Sequence, residues 1–388
     1  MRAPGAREAV TGRRPSDLVA LERAPVLEAE DVQVRYDGQV VLDVPALTVR
    51  PGEVLAVIGP NGAGKSTLLR VLALLARPIR GAVRLHGAMP RTEAERLAWR
   101  RRMACVFQEP LLCRGSVLYN ARLACRLRGV ARPEADRRAH DWLRRLGIAA
   151  LADRPADRLS GGEAQRTSLA RAFAAMPEVL FLDEPFAALD APTREALLDD
   201  LGRLLAAART TTVFVTHDRA EALRLGDRVA VLLEGQLAQI GPPEQVFGAP
   251  TGEAVARFVG VENLLPGRVA AHADGLLEVE VGPVRVTVAG EARPGERVLV
   301  GLRPEDLTLA RPEARGPTSA QNRLAGRIVR VTPLGPLWRV GVDCGVSLTA
   351  LVTRPALATL ALAPGVPVEV TFKATAVHLV RRGASSPS

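Results

Sequence analysis

Four short apolar or β-branched runs punctuate the first two thirds of the chain: Val54–Ile58, Met103–Phe107, Val179–Leu182 and Thr211–Thr216. Continuous apolar character over so few residues predicts strands buried on both faces, as in a parallel sheet. Helical periodicity falls between them, over Leu68–Leu75, Arg91–Arg102, Glu134–Leu146 and an amphipathic stretch from Ala164 to Met176. Pro133 and Gly147 punctuate the third of these. Ahead of the first run, Val26–Val34 alternates apolar and polar residues as an edge strand would, and Asp37-Gly38 signals a hairpin turn before Val40–Leu42. Gly81–Gly87 reads as one more strand. Past Phe258 the pattern changes. Runs such as Leu277–Val281 and Val284–Val288 alternate with a period of two between Gly and Pro turns, which predicts small β-barrels. A Pro/Gly/Ala-rich stretch, Ala310–Thr318, divides them into two lobes. The expected organisation is an α/β domain over 26–258, a first β lobe over 259–311, a linker over 312–318 and a second β lobe over 319–388, with residues 1–25 as a disordered tail.

The chemistry starts where the first buried strand ends. Gly59-Pro60-Asn61-Gly62-Ala63-Gly64-Lys65-Ser66-Thr67 fits the phosphate-cradling loop G-x-x-x-x-G-K-[ST] in full, between a strand and a helix as the motif requires. Glycines let backbone N–H groups turn toward a polyanion, and the helix that follows points its positive end at the same place. Lys65 is positioned to reach the outer phosphates of a nucleotide, and the Ser66 hydroxyl to ligate Mg²⁺. A second Gly turn before a helix, Ser160-Gly161-Gly162, is another anion-binding device of the same kind. The strand at Val179–Leu182 delivers Asp183-Glu184, a carboxylate for Mg²⁺ and one to polarise an attacking water. The strand at Thr211–Thr216 delivers His217, a γ-phosphate contact from a strand end. Gln108, after Met103–Phe107, is placed to coordinate Mg²⁺ or a water and to move with the segment beyond it. Tyr36 stands just upstream of the phosphate loop, either as an adenine-stacking ring or as an ordinary strand-end aromatic.

Composition narrows the classes. No apolar run approaches the ~20 residues needed to cross a bilayer, and the amino-terminal segment has no apolar core of the signal-peptide kind. Cys105, Cys113, Cys125 and Cys344 are scattered, without metal or disulfide spacing, as for reduced thiols in a cytoplasm. The net charge of +10 comes from arginines spread through the chain, with aromatics at only 3%, so a solvated surface rather than a nucleic-acid partner is expected. Lys65 and Lys373 are the only two lysines, against fifty arginines. A lysine that survives such a bias marks a site where a guanidinium does not serve, because the two cations differ in shape and hydration. Lys373 thereby becomes a site candidate.

Taken together, Tyr36, Gly59–Thr67, Gln108, Leu159-Ser160-Gly161-Gly162-Glu163, Asp183-Glu184, Ala188-Leu189-Asp190 and His217 resemble the ATPase subunit of ATP-binding-cassette transporters over about Val26–Phe258. The resemblance implies a P-loop NTPase fold, a RecA-like core with a helical subdomain, acting on ATP with Mg²⁺. It implies two copies associated head to tail, each ATP lying between one copy's phosphate loop and the other's Ser160-Gly161-Gly162. In that scheme Tyr36 stacks on adenine and Asp190 belongs to the D-loop. Glu184 acts as base, His217 touches the γ-phosphate, and the segment after Gln108 contacts a membrane permease. An extracytoplasmic binding protein would serve the permease, and the chain itself would sit at the cytoplasmic face of the membrane.

In the last third, Val261–Leu265 and Gly301–Glu305 resemble the accessory, OB-like barrels of import-type cassette ATPases. Ser319-Ala320-Gln321-Asn322, Leu348–Thr353 and Phe372–Leu379 resemble molybdate-binding barrels. That resemblance implies oxyanion contacts at Ser319, Gln321, Asn322, Lys373 and Thr375. Gln321 stands where the family has Arg, and Thr375 where it has Ser, which weakens a dianion site. The expectation is the energy-coupling ATPase of a molybdate or tungstate importer, its second lobe a sensor or a scaffold. The other readings are an importer of sulfate, ferric iron or polyamine, and more remotely a soluble cassette ATPase acting on nucleic acid.

Overall fold

The structure, a computed structural model, describes residues 24–312 and 318–381. The expected tail lies outside the described residues up to 23, as do 313–317 of the linker and the last seven residues. A nine-stranded sheet takes the order β4-β1-β2-β9-β8-β3-β7-β6-β5. Its strands are β1 (Leu27–Tyr36), β2 (Gln39–Val49), β3 (Val54–Ile58), β4 (Arg80–Leu85), β5 (Met103–Val106), β6 (Val179–Asp183), β7 (Thr211–Thr216), β8 (Arg228–Leu233) and β9 (Gln236–Gly241).

The apolar runs form β5, β6, β7 and β3, which with β8 make the parallel centre of this sheet. β3, β6 and β7 are buried along their whole lengths, and their alternate side chains feed two different cores. Ile58, Leu180, Leu182 and Phe214 pack on one face, and Leu55, Val57, Phe181 and Val213 on the other. Each such side chain contributes roughly 1.5–3 kcal/mol on leaving water.

Two expectations need correction. β1 is not an edge strand: it pairs with β2 on one side and β4 on the other, and β4 forms the edge. Alternation reports one solvated face, which an interior strand of an antiparallel sheet also has. The turn between β1 and β2 is as expected, Asp37 and Gly38 both lying at positive φ (48° and 81°).

The cassette helices are α1 (Lys65–Leu72), α2 (Glu93–Arg100), α3 (Val117–Leu127), α4 (Arg132–Arg145), α5 (Gly161–Ala174), α6 (Ala191–Ala208), α7 (Arg219–Leu225), α8 (Pro243–Gly248) and α9 (Glu253–Phe258). α5, expected to be amphipathic, is instead buried around most of its girth, with Gln165, Thr167, Ser168, Leu169, Phe173 and three alanines inside. It lies among α3, α4 and β5, and small residues there allow close approach.

The carboxyl-terminal region is all-β apart from α10 (Arg354–Thr359) and two 3₁₀ turns. β10 (Asn263–Ala273), β11 (Leu276–Val281), β12 (Val284–Ala289) and β13 (Arg297–Leu302) form one sheet. β15 (Asn322–Leu334), β16 (Leu337–Asp343), β17 (Ser347–Thr353) and β18 (Pro367–Phe372) repeat the arrangement in a second. The two lobes exchange their last strands. β14 (Thr308–Ala310) follows the first lobe yet pairs with β18, and β19 (His378–Arg381) follows the second yet pairs with β13. Val300 and Leu302 share one core with Val370 and Phe372. Buried Asn residues complete the exchange. Asn322 accepts from the Thr287 N–H at 2.7 Å and donates to its carbonyl at 2.8 Å, closing the free edge of β12. Asn263 makes the same pair with Thr349 on the free edge of β17, at 2.6 and 2.9 Å. The cassette core runs on into this region through Val259, Val261, Leu299 and Val380.

Candidate functional site

The carboxyl ends of the parallel strands carry the chemistry, as open α/β sheets place their ligands. β3 runs straight into Gly59, where a Cβ would stand 2.2 Å from the Leu232 carbonyl oxygen. Only glycine lets the loop leave the sheet there. Gly62 and Gly64 hold φ of +81° and +92°, and Gly64 opens α1 with no side-chain cap. The first-turn N–H groups of a helix have no partner within it, so α1 presents uncapped donors to the loop. That is an anion cradle.

Lys65 is buried at 5% exposure and donates to the carbonyls of Gly59 at 3.0 Å and Pro60 at 3.1 Å. Burial pulls its pKa down, opposed by Glu184 and Asp183. Its Nζ lies 3.7 Å from Glu184 Oε1. Beside it, Ser66 Oγ donates to Asp183 Oδ1 at 2.9 Å. Burial pushes the Asp183 carboxyl up, and the Ser66 bond only partly offsets this. A hydroxyl and a buried carboxylate oxygen side by side fit the all-oxygen shell of Mg²⁺. Thr67 is half-buried on the same turn, and Asn61 is exposed at the loop tip.

Glu184 sits at φ 45°, a left-handed conformation unusual for a side chain of its size, and its N–H donates to the Val215 carbonyl at 2.9 Å. This turns the carboxylate between Lys65 and His217, whose Nδ1 lies 3.1 Å from Glu184 Oε2. His217 remains half-exposed at 54%. Sequence reasoning passed over the support beneath it. Thr216 Oγ1 donates to buried Glu221 and accepts the Asp218 N–H at 3.0 Å, fixing the strand end that carries His217. The signal available in the sequence was a glutamate four positions after the histidine.

The remaining candidates stand apart from this cluster. Ser160, Gly161 and Gly162 make no hydrogen bond to the phosphate loop. Ser160 instead closes a capping box with Glu163, its Oγ accepting from the Glu163 N–H at 3.3 Å and its own N–H donating to Glu163 Oε2 at 2.8 Å. A Cβ on Gly162 would press to 2.6 Å on Thr193 Cγ2, so this turn packs on the start of α6. Asp190 caps that helix, accepting from the Thr193 N–H at 2.9 Å, and the bond holds its carboxyl below the usual range. Tyr36 (49% exposed) and Gln108 face solvent.

In the second lobe, Asn322 pairs with Phe372 across β15 and β18. This brings Gln321, Lys373 and Thr375 to one exposed corner, with Ser319 exposed just upstream. Gln321 Oε1 accepts from the Ala374 N–H at 3.1 Å. The Asn322 amide does not reach that corner: it is buried at 3% and committed to Thr287.

Residues 42–187 match the ABC transporter family, and residues 318–379 match the TOBE domain. The molybdate/tungstate import ATP-binding protein WtpC of Pyrococcus abyssi is 34% identical over 356 residues, covering 91% of this chain and all of that protein. The spermidine/putrescine import ATP-binding protein PotA of Pseudomonas aeruginosa is also 34% identical, over 92% of this chain and 99% of its own length. The dimeric post-hydrolysis structure of the ATP-binding cassette MJ0796 with ADP and Pi superposes with a TM-score of 0.51 at 28% identity, covering 56% of this chain and 98% of that one. The chain belongs to the ABC transporter ATP-binding family. Within it, the chain is the ATP-hydrolysing subunit of an importer, with TOBE-type β lobes at its carboxyl end.

Proposed function

We propose that this subunit powers the import of molybdate or tungstate. The likeness to the Pyrococcus molybdate/tungstate subunit covers 91% of this chain and all of that protein, a span that the PotA likeness matches, so the chemistry of the second lobe carries the choice of cargo. The corner at Ser319, Gln321, Lys373 and Thr375 supports it, because a lysine beside hydroxyls and an amide suits a tetrahedral dianion. Asn322 holds the two lobes together there and is not a ligand.

In the ATPase cycle the loop Gly59–Thr67 wraps the phosphates, and Lys65 moves from the Gly59 and Pro60 carbonyls to the outer phosphate oxygens. Ser66 and Asp183 would hold Mg²⁺, which would neutralise phosphate charge, with Gln108 as a further ligand or holding an ordered water. Glu184 polarises the attacking water, and His217 steadies it and contacts the γ-phosphate. Tyr36 stacks on the adenine. The exposed Ser160-Gly161-Gly162 turn and Asp190 serve a second copy, as the paired arrangement of MJ0796 supports. The pair works on a membrane permease fed by an extracytoplasmic binding protein, and docks at the cytoplasmic face. Among the described residues no helix is long and apolar enough to cross a membrane.

Calorimetric titration of the purified chain with molybdate, tungstate, sulfate and spermidine, comparing wild type with Lys373→Ala, tests the cargo. Binding of molybdate and tungstate lost in the variant supports the reading. Binding of spermidine instead, with none of the oxyanions, would place this chain with the polyamine importers that PotA represents.

A further inference from the structure

The cassette meets the β lobes at a cleft of about 700 Å³ that, apart from His217, no residue of the nucleotide site lines. One wall is His217-Asp218-Arg219, where β7 passes into α7. The other carries Arg303 and Glu305, from the turn after β13, and Arg339 of β16. Gly260 lies between the walls at φ +97°, and a Cβ there would stand 2.3 Å from Arg219 Nη1 and 3.3 Å from Arg303 Nη1. Two guanidiniums, one from the cassette and one from a β lobe, therefore converge over a single Cα.

Their neighbours offset them only in part, through Asp306, which feels the charge of Arg303 without an ion pair to it. Arg303 donates to two carbonyls, Val259 at 3.0 Å and Phe247 at 2.8 Å, which carry no charge. Three carboxylates share the cleft. Asp218 caps α7, accepting from the Ala220 and Glu221 N–H groups at 2.7 and 3.4 Å. Glu262 is paired with Arg339 at 3.0 Å. Glu305 stands on the Arg303 wall without an ion pair. Among the described residues no carboxylate is ion-paired with Arg219 or Arg303. Like charges held close in a partly desolvated cleft repel, and a small anion between them turns that repulsion into two charge-assisted contacts. The guanidinium fork matches the spacing of oxyanion oxygens, which a lysine would not.

We propose that this cleft binds a small tetrahedral oxyanion between Arg219 and Arg303, and that the bound anion restrains the ATPase. The anion ties Arg219 to the β lobe two residues after His217. A filled site holds that segment against the lobe and slows the repositioning of His217 between turnovers. The site is separate from the Lys373 corner and does not depend on the nature of the cargo.

The test uses the full chain with saturating ADP, so that the phosphate loop is already filled. Sodium sulfate is titrated calorimetrically at low ionic strength into wild type, Arg219→Gln and Lys373→Ala. The expected result is a sulfate site in wild type that persists in Lys373→Ala and is weakened at least about tenfold in Arg219→Gln, the loss of a hydrogen-bonded charge. Arg219 is exposed, so unchanged ADP affinity in the variant confirms an intact fold. With saturating MgATP, sulfate should slow turnover of wild type and leave Arg219→Gln unaffected. Equal sulfate binding by wild type and Arg219→Gln, no uptake by wild type, or loss in Lys373→Ala alone would overturn the assignment.

Discussion

Replacing Asn322 with alanine separates a strand clamp from an oxyanion ligand. The side chain is 3% exposed and makes two bonds, at 2.7 and 2.8 Å, to the backbone of Thr287. Thr287 lies on β12, whose outer edge has no strand neighbour. Asn322→Ala leaves one N–H and one carbonyl unpaired, at about 1–3 kcal/mol each when buried. Thr287 is half-buried, so water relieves part of the cost and the expected loss is about 2–4 kcal/mol. With a urea dependence of about 2 kcal/mol/M, the middle of the usual range, the midpoint of the β-lobe transition should fall by about 1–2 M. Urea denaturation followed by circular dichroism and by Trp338 fluorescence reads this, and ADP affinity should not change because the clamp is remote from Lys65. Asn263→Ala, which removes the matching bonds to Thr349, should cost a similar amount. A variant Asn322→Ala of unaltered stability that no longer binds molybdate would refute the clamp and restore the amide as a ligand.

Glu184→Gln should retain ATP affinity while turnover falls about 10²–10⁴-fold, the usual share of a general base; radiolabelled ATP binding and phosphate release read the two separately, and undiminished turnover would remove Glu184 from the role. Burial raises the Asp183 pKa, so the folded chain holds that proton more tightly than the unfolded one, and the ionised carboxylate opposes folding at neutral pH. Asp183→Asn should therefore raise the melting temperature of the nucleotide-free protein near pH 7. The gain should shrink as pH falls through the carboxyl range, and the Mg²⁺ dependence of ATP affinity should disappear. A lower melting temperature at pH 7 would contradict the desolvation argument.

What the sequence by itself determined is the phosphate site and the strands that carry it. A loop that cradles phosphate must be contiguous, because successive backbone N–H groups have to face one anion, so Gly59–Thr67 is readable without a fold. The buried runs ending at Ile58, Leu182 and Thr216 are equally local, since a strand covered on both faces leaves no charged positions. The Arg bias of the chain singled out Lys65 and Lys373 for the same reason: a residue type is a local fact. What the tertiary structure alone decided is which side chains those strands bring together and what each is free to do. The left-handed backbone at Glu184, set by its bond to Val215 on the neighbouring strand, turns the carboxylate between Lys65 and His217. Alternation in β1 could not say that β4 lies outside it. Asn322 has the residue type of a ligand, yet it closes the edge of a strand thirty-five positions earlier. The exchange of β14 and β19 and the convergence of Arg219 and Arg303 over Gly260 follow the same rule. Contacts between segments far apart in the chain depend on how packed surfaces meet, and no periodicity within either segment records it.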